Sequence, residues 1–262
     1  MKLRSTRFAA KAGYAARGVM YLILGGLAVA GAAGAGGSAA NAKGALLKLF
    51  DTGYGTALLA ILGLGLFCYA AWRLIQALAD ADRHGAGAKG LTLRAGLFAS
   101  ALTHAALGVW ALTTPFFGGD SGENGGKSGA VALLLEQPFG PWLVAMAGAC
   151  VIGAGAAHIW KGVNRGFEKW FQADESTMKL IRPISMLGLT ARGVVFLIIG
   201  GLVIFAGLTA DPQKAGGIGA ALNWLQQQPY GLYLFSAAAV GLFCFGVYSM
   251  AEAFYRRIAL AN

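Results

Sequence analysis

Tyr14, Arg17 and Tyr21 follow one another at spacings of three and four, which places them on one side of a helix. The corresponding positions later in the chain hold Leu97, Ser100 and His104, and later again Leu189, Arg192 and Phe196. An arginine at the mouth of an apolar segment supports two kinds of chemistry. It can snorkel to lipid headgroups and hold its helix in register with a membrane. It can instead pair with a carboxylate or select an anion. The carboxylate available at that depth is Glu252, which closes an uncharged run beginning at Gly231, and its counterparts on companion segments are Gln76 and Lys161. A ring of Arg17, Gln76, Lys161, Arg192 and Glu252 would lock one end of a bundle or filter anions there. Both readings of the arginines stand at this point.

Ser100, Thr103 and His104 are the candidate polar residues deeper in the membrane. An intramembrane histidine is a functional-site candidate. Because His104 stands where the other copies carry Tyr21 and Phe196, it also fits a packing residue hydrogen-bonded near Ser100 or Thr103. His158 belongs to a different depth, roughly 12 Å away or more at 1.5 Å per helical residue, so the two do not share a metal or a haem face. No metal or cofactor is expected.

The elements that position these groups are membrane helices. The chain is 57% hydrophobic and 12% charged, with 41 glycines in 262 residues, against about 25% charged and 7% glycine in ordinary soluble domains. Predominantly apolar segments long enough for a ~30 Å hydrocarbon core recur six times. They lie near 14–33, 55–79, 95–114, 140–160, 188–210 and 231–252. The first has the order of a signal peptide, ending at Ala40-Asn41-Ala42. Its return in mid-chain, GYAARGVMYLILGG from Gly13 as GLTARGVVFLIIGG from Gly188, identifies both as structural helices. After Arg17 and Arg192 come uncharged stretches, 18–35 and 193–210, of about 27 Å, which sets the arginines at headgroup level.

The net charge of +10 is sorted by membrane side rather than gathered on a nucleic-acid-binding face. Of the Lys and Arg residues, only Lys43, Lys48, Lys127 and Lys214 fall on the three loops opposite the termini. By the positive-inside rule both termini are expected in the cytoplasm, with anionic lipid headgroups as the expected partner of the basic face. A membrane-protein partner or a second copy is a further expected contact, and nucleic acid is not. Cys68, Cys150 and Cys244 fall in mid-helix and are expected as free, buried thiols.

The unit of repetition is a helix, an outer loop with a short helical piece, and a second helix. The copies are 13–82, 92–171 and 188–257, within one membrane domain. Second helices open alike at Gly53-Tyr54-Gly55, Pro138-Phe139-Gly140 and Pro229-Tyr230-Gly231, after short apolar pieces at Gly44–Phe50, Gly129–Gln137 and Gly217–Gln228. Two crossings per unit make every copy enter in the same direction, so a pseudo-threefold, all-α six-helix bundle about the membrane normal follows. Gly18 and Gly25, Ala101 and Gly108, and Gly193 and Gly200 form small-residue stripes suited to close helix packing.

The repeated Ala-Arg-Gly at the start of a first helix, the glycine-led second helix and the ending Glu252-Ala253-Phe254-Tyr255-Arg256-Arg257 resemble the bacterial family called domain of unknown function 1206. The resemblance covers nearly the whole chain. It implies a six-helix membrane protein and brings no activity; the second copy departs by carrying Ser100 in place of an arginine.

Catalytic constellations are missing from the sequence. Gly85 to Gly90 has dinucleotide-loop spacing without a strand before it, and Gly125-Gly126-Lys127-Ser128 has Ser121 where a phosphate-binding loop needs glycine. Acidic residues other than Glu252 lie in loops or tails, which counts against a carboxylate relay. The expectation is a non-catalytic membrane component that binds lipid or docks a partner. The alternative is a passive channel or transporter for a small neutral or anionic solute. Tight contacts at Gly18, Gly25, Gly193 and Gly200 favour the first, and a polar cavity lined by Ser100, Thr103 or His104 the second.

Overall fold

A computed structural model describes residues 2–33, 53–117 and 123–258. The expected outer piece Gly44–Phe50 lies outside the described residues. The rest is α-helical: α1 (Lys2–Ala32), α2 (Gly53–Leu78), α3 (Ala88–Phe117), α4 (Glu123–Leu135), α5 (Gly140–Val163), α6 (Glu175–Leu208), α7 (Ile218–Gln226) and α8 (Gly231–Tyr255). Six of them, α1, α2, α3, α5, α6 and α8, are long and apolar enough to cross a membrane. The short α4 and α7 precede the second helices of the second and third repeats.

The helices overrun the apolar windows at the end that bears the termini. α6 begins at Glu175, well before the uncharged run at 188, because Asp174 caps it: its carboxylate accepts the Thr177 N–H at 3.3 Å. Hydrogen bonds from Ser176 and Thr177 hold the Asp174 carboxyl down at about 2, so the cap stays ionised through neutral and mildly acidic pH. At the opposite end, Phe139 and Tyr230 both adopt left-handed backbone (φ 62°) immediately before Gly140 and Gly231. That turn swings each short outer helix into the next span. It also leaves Tyr54, Phe139 and Tyr230 exposed at equivalent places, as aromatic anchors at a lipid–water boundary would be.

Packing follows the repeats. Each first helix lies against the second helix of the preceding repeat: α1 on α8, α3 on α2, α6 on α5. These three interfaces are the small-residue seams. Gly18 faces Met250 and Gly25 faces Phe243; Gly108 meets Gly63 and Phe67; Gly193 and Gly200 meet Gly155 and Gly148. A Cβ placed on Gly193 or Gly200 would stand 2.7 Å from the carbonyl oxygen opposite, closer than atoms pack. Within repeats, α1 packs on α2 and α6 on α8, whereas α3 and α5 do not pack on each other. The six spans therefore form an arc in the order α3, α2, α1, α8, α6, α5. The threefold pattern is interrupted in the second repeat.

The interruption changes the expectation for one cysteine. Cys150 is exposed rather than buried, because α3 does not cover its face of α5, while Cys68 and Cys244 are half-buried.

The seams make a paired test available on one helix. Gly200→Val forces a side chain against backbone of α5, and overpacking of this kind costs about 1–3 kcal/mol. Gly201→Val adds its methyl groups to open space. Thermal unfolding of the purified protein should show a lowered midpoint for the first and little change for the second.

Candidate functional site

At the end of the bundle that bears the termini, α1, α2 and α8 converge on the Arg17 side chain. Its position follows from local geometry: Gly13 and Ala16 on α1 lie directly against Tyr69 and Gly65 on α2, and Gly18 lies against α8. Arg17 is held between the two helices and only 3% exposed. Its Nε donates to Ser249 Oγ at 3.1 Å, Nη1 donates to the Tyr69 hydroxyl, and Nη2 forms an ion pair with Glu252. The guanidinium also lies 4.7 Å from the Tyr69 ring centroid and 5.1 Å from that of Phe245.

Glu252 is the centre of this set. One carboxylate oxygen takes Arg17 and the other takes Arg256, which leans 3.6 Å from Asp82. Gln76 donates to Asp82 at 2.6 Å and accepts from Arg73 Nη1 at 3.1 Å. Arg73 in turn donates from Nε to the Tyr69 hydroxyl at 2.7 Å. Lys161 donates to the Tyr248 hydroxyl at 2.8 Å. Beneath the charges, Trp72 donates its indole N–H to the Tyr14 hydroxyl at 3.1 Å, and both rings are fully buried. The tail that supplies Arg256 is clasped to the connection between α5 and α6 by Gln172 N–H to Tyr255 O and Arg257 N–H to Trp170 O, each 2.8 Å.

Of the five residues placed together on sequence grounds, Arg17 and Glu252 are joined directly and Gln76 through Asp82 and Arg256. Lys161 attaches through Tyr248. Arg192 does not join them. Its guanidinium lies among the rings of Phe245, Phe196 and Tyr21, at 4.3, 4.8 and 4.9 Å, and its Nε and Nη1 are buried without a hydrogen-bond partner. The single paired ring is thus corrected to a bonded set plus one arginine apart, since Glu252 has both oxygens occupied. Neither arginine snorkels outward: both side chains turn into the protein, where aromatic rings and Glu252 receive them.

The deeper candidates separate. His104 is buried, with Nδ1 2.7 Å from Ser100 O and its ring edge-on to Tyr69 at 4.6 Å. Thr103 lines no interior; one residue round the helix from His104, it faces outward and returns its hydroxyl proton to Ala99 O at 2.9 Å. His158 packs against Phe196 in a tilted arrangement, centroids 5.5 Å apart, with Nδ1 2.8 Å from Ala154 O. No group of three or more metal-ligating side chains occurs among the described residues.

Sequence reasoning passed over Tyr69, Arg73, Asp82, Ser249 and Arg256. Arg73 carried a signal, being a charge inside an otherwise apolar span three residues before Gln76. Asp82 and Arg256 sit in connections, and nothing in their spacing shows that the tail folds back over the bundle end.

The family model described as Domain of Unknown Function (DUF1206) matches the chain three times, at residues 12–80, 95–165 and 187–256. The chain is 35% identical over 249 residues to the "Uncharacterized protein YxxB" of Bacillus subtilis (strain 168), covering 94% of this chain and 90% of the relative. No solved structure matches. The chain belongs to the DUF1206 family, and each match spans one two-helix repeat.

Removing one partner of a buried ion pair leaves a charge uncompensated and costs about 3–5 kcal/mol. Glu252→Gln should therefore lower the unfolding midpoint severely. Combining it with Arg17→Met removes one of the stranded cations and should recover part of the loss, a non-additivity measurable in a double-mutant cycle of denaturant unfolding.

Proposed function

We propose that this DUF1206 protein is a non-catalytic, lipid-binding component of the bacterial inner membrane, with both termini cytoplasmic. One observation carries the reading. The interior at the level of Arg17 is taken up by side chains bonded to one another, Arg17 to Tyr69, Ser249 and Glu252, and Glu252 to Arg256. Such a set closes the end of a bundle and leaves its members committed.

The charge inventory at this end of the bundle supports lipid as the partner. Arg17, Arg73, Lys161, Arg192 and Arg256 stand against two carboxylates, Glu252 and Asp82. An excess of cations at headgroup depth attracts anionic lipid. Basic residues on the tails and connections at the same end add to that field. The conduit reading called for an open polar path past Ser100, Thr103 and His104. Instead His104 is packed against Tyr69 and Thr103 faces outward, while Gly18, Gly25, Gly193 and Gly200 are in close helix contacts.

Liposomes holding the purified full chain, loaded with small neutral solutes in one set and small anions in another, should leak no faster than empty liposomes. Solute-selective flux that Arg17→Ala or Glu252→Ala alters would overturn the reading in favour of a conduit.

A further inference from the structure

In the first and third repeats the two helices are sealed by a matched pair of contacts. Gly13 lies against Tyr69 and Ala16 against Gly65; Gly188 lies against Phe245 and Ala191 against Gly241. Counting from Arg17, Ser100 and Arg192 on the first helices, and from Gln76, Lys161 and Glu252 on the second, gives the equivalents in the second repeat: Gly96 and Ala99 on α3, Ala154 and Cys150 on α5. There the seal is missing. Gly96, Ala99 and Cys150 are exposed, and a Cβ on Gly96 would meet nothing within 4 Å. Two substitutions explain it. Cys150 carries a side chain where Gly65 and Gly241 let a helix backbone approach, and Ala154 is too small to fill the place of the Tyr69 and Phe245 rings.

Behind this gap is Arg192, 6% exposed, with two guanidinium nitrogens lacking hydrogen-bond partners. Its guanidinium lies 4.8 Å from the Phe196 ring, which in turn packs on His158 of α5, one wall of the gap. Ring faces offset part of the cost of burying a guanidinium but accept none of its in-plane hydrogen bonds. A charged donor buried without an acceptor is costly. The nearby carboxylate, Glu252, is already divided between Arg17 and Arg256.

An anionic acceptor would meet both the open donors and the charge of Arg192, and the approach to it is lateral. The gap lies between two membrane-spanning helices and is edged by small, mostly apolar residues, whereas the end that bears the termini carries the Gln76, Asp82, Arg256 and Glu252 contacts. Small residues on facing helices leave room for a hydrocarbon chain. Arg192 stands at the level where a phosphodiester of the same leaflet would be, by the length of the uncharged run that follows it.

We infer that the gap between α3 and α5 is a binding site for an anionic phospholipid, whose phosphate takes the open donors of Arg192 while an acyl chain lies along Gly96, Ala99, Cys150 and Gly153. The assignment rests on the lipid-binding reading above and gives that reading one site and one arginine. Guanidinium suits the task because its planar fork presents two N–H groups to two phosphate oxygens.

The test uses the full chain in nanodiscs of mixed phosphatidylglycerol and phosphatidylcholine, released into the gas phase for native mass spectrometry. Wild type should retain phosphatidylglycerol over phosphatidylcholine by tenfold or more. Arg192→Gln should bring the two to parity. Ala99→Trp and Cys150→Trp fill the gap from exposed positions without touching the core, and should do the same while leaving the unfolding midpoint unchanged. Inorganic phosphate at millimolar concentration should not displace the lipid. Undiminished preference in both tryptophan variants would overturn the site while leaving lipid binding intact, and no preference in wild type would overturn both. Displacement by inorganic phosphate would reassign the site to a soluble anion. Disulfide-linked dimers through Cys150 in native membranes, formed equally whatever the lipid, would assign the gap to a second copy and overturn the proposal.

Discussion

A carboxylate buried among helices in hydrocarbon is tolerable only when its charge is met, and Glu252 is met twice, by Arg17 from the first repeat and Arg256 from the tail. Much of the organisation at this end of the molecule depends on that constraint. The pairing demands that α1 and α8 touch, which their glycine seam permits at Gly18 and Gly25. It demands that the tail return across the bundle, which the clasp to Trp170 and Gln172 secures. It also fixes Tyr69 and Ser249 as acceptors for the rest of the Arg17 fork, so that the guanidinium leaves no idle donor on that side.

Two classes of interface divide the work of holding six helices together. Between repeats, small residues bring backbones close three times over, and these contacts are kept in every copy. Within repeats, the contact needs both a glycine on the second helix and an aromatic ring one turn further on, and the second copy has neither. Losing one of three such contacts opens an arc without dismantling the bundle, because α3 and α5 still have their partners α2 and α6. The open contact of the second repeat lies on the side of the arginine left outside the bonded set.

Six spans and their threefold repetition were legible in the sequence because hydropathy and self-similarity are one-dimensional signals. The level of Glu252 beside Arg17 was legible for the same reason, since a rise of 1.5 Å per residue turns a count into a depth. What a count does not give is azimuth. Thr103 and His104 are neighbours in depth and point to different surroundings, and Arg17 and Arg192 share a depth yet meet different partners. The starts of α1 and α6 were hidden for another reason. Their opening turns carry charges, Arg7 and Lys11 on α1 and Glu175, Lys179 and Arg182 on α6, and at α6 the Asp174 cap marks a boundary that hydropathy does not register. Comparing Cys150 with Gly65 and Gly241 would have disclosed the gap, had the cysteine been read for its bulk instead of its thiol.

The joining of Arg17 to Glu252 spans nearly the whole chain and has a consequence for biogenesis. A ribosome delivers the arginine first and its carboxylate 235 residues later, after five other spans have entered the bilayer. Through that interval Arg17 has no Glu252, and it must be satisfied by water or lipid at the membrane surface. The plug therefore closes only once the sixth span and the Arg256 behind it have been delivered. Their arrival is the event that converts a row of inserted spans into a sealed protein, and a chain cut just before Glu252 would retain the earlier spans and lack the seal.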